Sequence, residues 1–260
     1  MSRLPGLTGI VDWSDTNDRG KNVIVLIHSL GTDRTMWATQ VEVLAAAGWR
    51  VIAIDLPGHG LSTANPSDYT LDMLGRDVEE VTEVCGAEEY AVAGISLGGL
   101  VALWMAVNAP ERVAALVASN TAARLGSSAG WSDRIAAVES GGMESIRAVI
   151  TRFFAPQFIE DHPEELAHFE KVFLATDPVG YTGCCAALRD ADLDGRVGSI
   201  TCPTLVVGGE LDLAAPPDLA ARLHEEIPLS RLHIIEGSAH ISNVDHPAEF
   251  NALLVDFLLS

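Results

Sequence analysis

The chain has 260 residues, 48% of them hydrophobic, and a net charge of −20 from 36 acidic and 16 basic residues. That length buries one large core, or a core with a small appended unit. So acidic a surface repels nucleic acid and anionic membranes, which excludes a nucleic-acid-binding module, and no apolar run nears the roughly 18 residues of a membrane-spanning helix.

Met1–Gly9 lacks the basic start and apolar stretch of a secretory signal. The cysteines, at 85, 184, 185 and 202, make no metal-ligand spacing, so a reduced, cytoplasmic setting is expected. Cys184 and Cys185 read as small apolar fillers. The first strong strand is Val23–Ile27, followed by His28-Ser29-Leu30-Gly31. A helix follows from about Met36 to Ala47, then a strand at Arg50–Ile54 that ends in Asp55-Leu56-Pro57-Gly58-His59-Gly60. Residues 70–85 are helical by pattern, with Leu71, Leu74, Val78 and Val81 at three-to-four spacing. Tyr90–Ala93 is a short strand and Gly99–Val107 a helix. Val113–Ser119, Thr204–Gly208 and Leu232–Ile235 are further strands. Pro247 opens a last amphipathic helix with Phe250, Leu253, Leu254 and Phe257 on one face. Strands alternating with helices predict an α/β fold, a mostly parallel sheet covered on both sides.

Residues 121–195 break the rhythm. They hold helical pieces at Trp131–Val138, Glu144–Phe154 and Pro163–Ala175 and no convincing strand. They read as a helical cap inserted into a core made of residues 1–120 and 196–260.

Between the strand at 90 and its helix lies Gly94-x-Ser96-x-Gly98. A serine between glycines, ending a strand and opening a helix, is the nucleophile-elbow pattern. A serine hydroxyl needs a base, and the base needs an orienting carboxylate. In this pattern the chain order is Ser, then Asp or Glu, then His. Asp212, in the loop after the strand at 204, is the expected orienter, with Glu210 as alternative. His240, between the last strand and the last helix, is the expected base. His246, before Pro247, reads as a helix-entry residue, and His59 as a buttress of its turn. An oxyanion needs two main-chain donors, expected at the amides of Leu97 and Leu30.

Together these strings resemble the α/β-hydrolase superfamily across nearly the whole chain. Several resemble one subfamily, the 3-oxoadipate enol-lactonases: Ser29-Leu30-Gly31-Thr32-Asp33 with Met36-Trp37, Ser119-Asn120-Thr121-Ala122-Ala123, Trp131 with Arg134, Cys185 to Asp192, and Ala239-His240-Ile241-Ser242-Asn243-Val244. The resemblance implies an α/β-hydrolase fold and hydrolysis of 3-oxoadipate enol-lactone to 3-oxoadipate through Ser96, Asp212 and His240, with no metal or organic cofactor. That lactone carries a carboxylate, so a locally placed cation is expected. Arg189 and Arg134 are the candidates, with Trp131 and Trp37 as apolar walls. His28 and Pro57 depart from the subfamily, where asparagine and arginine are common. The same triad would serve a general carboxylesterase or a cofactor-free perhydrolase, and a ligand-binding member of the fold would keep the shape without turnover. The expected partner in each case is a small molecule, not nucleic acid or membrane.

Overall fold

The computed structural model describes residues 2–16 and 22–260. Its strands are β1 (Ser2–Pro5), β2 (Ile10–Asp15), β3 (Val23–Ile27), β4 (Arg50–Asp55), β5 (Tyr90–Ile95), β6 (Val113–Ser119), β7 (Thr204–Gly209) and β8 (Ser230–Ile235). They form one sheet in the order β1-β2-β4-β3-β5-β6-β7-β8. From β4 to β8 every neighbouring pair is parallel, while β1 and β2 add an antiparallel hairpin at one edge. β3 and β5 sit centrally and are buried at every residue, as sheet strands covered on both faces must be.

The helices are α1 (Ala38–Ala46), α2 (Leu71–Val84), α3 (Leu97–Asn108), α4 (Ser128–Gly141), α5 (Pro156–Asp161), α6 (Pro163–Ala175), α7 (Pro178–Asp190), α8 (Pro217–Glu226), α9 (Ser242–Asp245) and α10 (Pro247–Leu259). α2 starts where Thr70 accepts the Met73 N–H at 3.2 Å, a side-chain cap that satisfies one free donor of the first turn. α3 is apolar all round because it lies against β5 and β6 while α2 covers its outer side. Among the described residues, no helix is long and apolar enough to cross a membrane.

Four helices, α4 to α7, lie between β6 and β7. The piece expected as a helix over Glu144–Phe154 is instead a 3-10 run, Met143–Arg152. The segment's two ends meet: the Leu193 N–H donates to the Ala123 carbonyl at 3.0 Å, and Arg124 pairs with Asp192 at 3.5 Å. Several elements escaped the sequence patterns: the β1–β2 hairpin, α7, α8 and the short α5 and α9. β2 buries Asp12 beside Val11 and Trp13, paired with Arg3 and Arg34, which breaks apolar alternation. α7 buries Gly180, Gly183, Cys184 and Cys185 and so shows no amphipathic stripe.

Candidate active site

β5 ends at Ile95 and α3 begins at Leu97, so the chain turns on one residue, Ser96. Its φ of 57° and ψ of −118° are values that a side-chain-bearing residue adopts only under strain. The surroundings hold it there. The Ser96 N–H donates to the Ser119 carbonyl at 3.0 Å, and its carbonyl accepts the Thr121 hydroxyl at 2.9 Å. Gly98 allows the close packing of the turn, because a Cβ there would strike the carbonyls of Ile27 and His28.

His240 follows β8 and Asp212 follows β7, and the two loops bring them together. His240 Nδ1 lies 2.8 Å and 3.0 Å from the two oxygens of Asp212. Opposite a carboxylate, Nδ1 carries the proton, which leaves Nε2 as the basic nitrogen. Asp212 is fully buried and His240 almost so. Burial pushes the Asp212 carboxyl up. The His240 ring, the Ala215 N–H at 2.9 Å and the Asn120 amide at 3.0 Å outweigh this and hold it below the usual carboxylate range. Asn120, at φ 48°, also donates to the Ala239 carbonyl at 3.0 Å and so ties the two loops. Glu210, the alternative orienter, instead accepts the Gly237 N–H at 2.8 Å on the surface.

A buried carboxylate braces the His240 loop. Asp245 accepts the Ser238 hydroxyl at 2.7 Å, the Ala239 N–H at 2.8 Å and the Ala155 N–H at 3.3 Å. The Ile241 N–H donates to the Phe153 carbonyl at 2.9 Å, and the Phe153 ring lies 5.6 Å from the His240 ring. The His240 loop is thus pinned to the helical segment through Ile241 and Asp245. His246 enters α10 and contacts Asp245 at 3.0 Å.

The loop after β3 is stapled to the loop after β4 by two histidines. His28 Nδ1 donates to the Ser29 carbonyl at 2.7 Å, and its Nε2 accepts the Leu56 N–H at 2.9 Å. His59 repeats the pattern, with Nδ1 on the Pro57 carbonyl at 2.9 Å and Nε2 accepting the Gly31 N–H at 3.0 Å. These partners fix both rings in the neutral Nδ1–H form. Burial, aided by the neighbouring His28, lowers His59 to about 3, and burial lowers His28 as well. The staple places Leu30 on the cavity wall. Leu97 buries its side chain in the core, and its main chain opens α3, whose first amides have no helical acceptor.

Ser29, Leu30, Ser96 and His240 line one cavity of about 310 Å³, which the helical segment closes with Leu125, Trp131, Arg134, Arg152, Phe153 and Tyr181. Arg134 donates to the Tyr181 hydroxyl at 3.0 Å, and its guanidinium carbon lies 5.8 Å from the Trp131 ring centroid. Trp131 is fixed by its indole N–H on the Leu125 carbonyl at 2.7 Å. Among the described residues, neither Arg134 nor Arg152 pairs with a carboxylate, so two cations border the cavity of an acidic protein. Arg152 was not singled out from the sequence, because one exposed cation ending a 3-10 run carries no pattern of its own.

Two expected cavity residues lie elsewhere. Arg189, at the end of α7, pairs with Asp190 at 2.6 Å and Asp68 at 3.0 Å on the surface and does not line the cavity. Two adjacent carboxylates outcompete a distant pocket for its guanidinium. Trp37 has no exposed surface and packs on Phe250 with ring centroids 6.1 Å apart, so it belongs to the core.

The chain is 35% identical over 242 residues to 3-oxoadipate enol-lactonase 2 of Acinetobacter baylyi, covering 93% of this chain and 90% of that one. It is 30% identical over 241 residues to a putative carbamate hydrolase of Variovorax paradoxus, covering 90% and 91%. The crystal structure of the enol-lactonase from Burkholderia xenovorans LB400 superposes over 100% of both chains, with a TM-score of 0.96 at 33% identity. The model of the alpha/beta hydrolase family matches residues 24–253. With the sheet order, the Ser96 turn and this match over most of its length, the chain belongs to the alpha/beta hydrolase family.

Proposed function

We propose that the protein is a serine hydrolase that opens a carboxylate-bearing lactone, with 3-oxoadipate enol-lactone and water giving 3-oxoadipate. One observation carries this reading: strained Ser96, His240 with Asp212 behind it, and Arg134, which pairs with no carboxylate among the described residues, meet at the same cavity, which Ser96, His240 and Arg134 line. The likeness to enol-lactonases at 33–35% identity supports the choice of substrate.

The residues divide the work as follows. Ser96 Oγ attacks the lactone carbonyl while His240 Nε2 takes its proton. Asp212, at 2.8 Å from Nδ1, stabilises the imidazolium that forms. The oxyanion rests on the amides of Leu30 and Leu97. The ring C–O bond breaks, the acyl group stays on Ser96, and the departing oxygen leaves as an enolate. An enolate is a weak base and departs readily, and the proton on His240 Nε2 passes to it, which returns the neutral imidazole. Water that gives its proton to His240 then attacks the ester carbonyl, releases the acid and returns Ser96. Arg134, held by Tyr181 and Trp131, holds the substrate carboxylate away from the reacting bond.

The test is turnover of 3-oxoadipate enol-lactone, followed by loss of its ultraviolet absorbance, beside a neutral aryl ester and an N-unsubstituted carbamate. Fast lactone loss that S96A lowers by at least about 10⁴-fold supports the reading. Ester or carbamate cleavage without lactone turnover keeps the Ser96 chemistry and overturns the substrate.

A further inference from the structure

Among the described residues, three buried side-chain polar atoms have no hydrogen-bond partner: Ser29 Oγ, Trp37 Nε1 and Asn243 Oδ1. A buried hydroxyl without a partner is costly, and a fold that keeps one calls for an explanation. Trp37 and Asn243 lie away from the cavity. Ser29, between His28 and Leu30 in the chain, is the one of the three that lines it.

The Ser29 carbonyl is fully engaged. Its carbonyl accepts His28 Nδ1 at 2.7 Å, the Thr32 hydroxyl at 2.8 Å and the Thr32 N–H at 3.2 Å. These bonds hold the carbonyl side of the residue, while the hydroxyl has no partner. Gly31, two residues on, is held by His59, so the loop is anchored on both sides of Leu30. The hydroxyl therefore sits on a rigid turn, next in sequence to the expected oxyanion amide. Rotation about one bond moves its proton without moving the backbone.

We propose that the Ser29 hydroxyl is a third oxyanion donor, pairing with the acyl oxygen of a bound ester or lactone as negative charge develops there. This rests on the serine-hydrolase reading and adds a side-chain donor to the two main-chain ones. The bond order of the carbonyl falls, its oxygen gains charge, and the Ser29 O–H donates to it without transferring the proton. A neutral carbonyl is a weaker acceptor than an oxyanion, so the contribution appears mainly in kcat.

Ser29→Ala separates this role from a structural one. Deleting an unsatisfied buried hydroxyl leaves Tm unchanged or raised, whereas deleting a structural hydrogen bond lowers it. The expected result for S29A is kcat lower by about 10- to 100-fold on the aryl ester and on the lactone, with KM within about threefold. A boronic acid, whose oxygen occupies the oxyanion position once boron bonds Ser96, should lose a similar factor in affinity. Unchanged kcat and boronate affinity in S29A overturn the proposal. So does a rise in KM alone, which assigns the hydroxyl to a spectator atom of the substrate, or a fall in Tm with kcat per folded molecule intact. Absence of any Ser96-dependent turnover or labelling in the wild-type protein overturns the hydrolase reading itself, and the role of Ser29 with it.

Discussion

Asp212 and Glu210 are two residues apart, yet only Asp212 points its carboxylate at a buried ring. Asp212→Asn should lower kcat by about 10³- to 10⁴-fold, because the amide cannot stabilise imidazolium and favours the wrong tautomer. Glu210→Gln should stay within about threefold, since it loses only a surface bond to Gly237. Comparable losses in both would contradict the single-orienter geometry. The two arginines divide in the same way. Arg134→Gln removes a charge-assisted contact and should raise KM for the carboxylated lactone about 10-fold or more, leaving a neutral ester little changed. Arg189→Ala, which breaks only exposed ion pairs, should leave both substrates within about twofold. The sequence singled out Ser96, Asp212 and His240 because serine-hydrolase chemistry would force their type and chain order, and the structure sets Asp212 against His240 and brings Ser96 and His240 to one cavity. It did not separate Arg134 from Arg189, since both are arginines near tryptophan or aspartate and only the direction of the side chain distinguishes them.

The elements that were legible are those where burial and period coincide. β3, β5 and β7 are continuous apolar runs with turn residues at both ends, and α2 and α10 carry one clean stripe. α7 was not legible because small residues stand where its backbone meets other backbone. A Cβ at Gly180 would strike the Gly58 Cα and the Pro57 carbonyl, and one at Gly183 would strike the Tyr69 ring. The helix is packed by absence of side chains, which leaves no hydrophobic period to detect. Its position nevertheless matters to the site, because the residue after Gly180 is Tyr181, the hydroxyl partner of Arg134. Gly180→Ala should therefore cost about 1–3 kcal/mol of stability by overpacking and raise KM for the anionic substrate along with it. Urea denaturation paired with KM measurement checks this, and lost stability with unchanged KM would uncouple α7 from the pocket.

At the scale of the whole molecule, the two buried histidines set a pH window. His59 titrates near 3 in the folded state, against about 6.5 when unfolded. On acidification the unfolded chain takes up the proton first, so the stability is fully present above about 6.5 and is lost as pH falls from there toward 3. His28, lowered by its own burial, acts in the same direction. Asp212, with a depressed value, keeps its contribution until pH falls below the ordinary carboxylate range. Relief of self-repulsion from the net charge of −20 acts oppositely, but it needs carboxylates to protonate, mainly near pH 4. Unfolding free energy should therefore decline between pH 7 and 5. A flat or rising profile across that interval would show that the histidine staple is not neutral as its hydrogen bonds require.

The neck of the helical segment, where Leu193 bonds Ala123 and Arg124 meets Asp192, closes a loop of chain at its base. Once such ends are joined, the entropy of closure grows only with the logarithm of length, by about 0.6 kcal/mol per doubling. Insertions, deletions or wholesale exchange between those points are thus cheap for the sheet. Ser96, Asp212 and His240 all lie outside the neck, while Arg134, Trp131 and Tyr181 lie inside it. Heritable variation can then act on the two sets separately, altering what enters the cavity while Ser96, Asp212 and His240 stay in place.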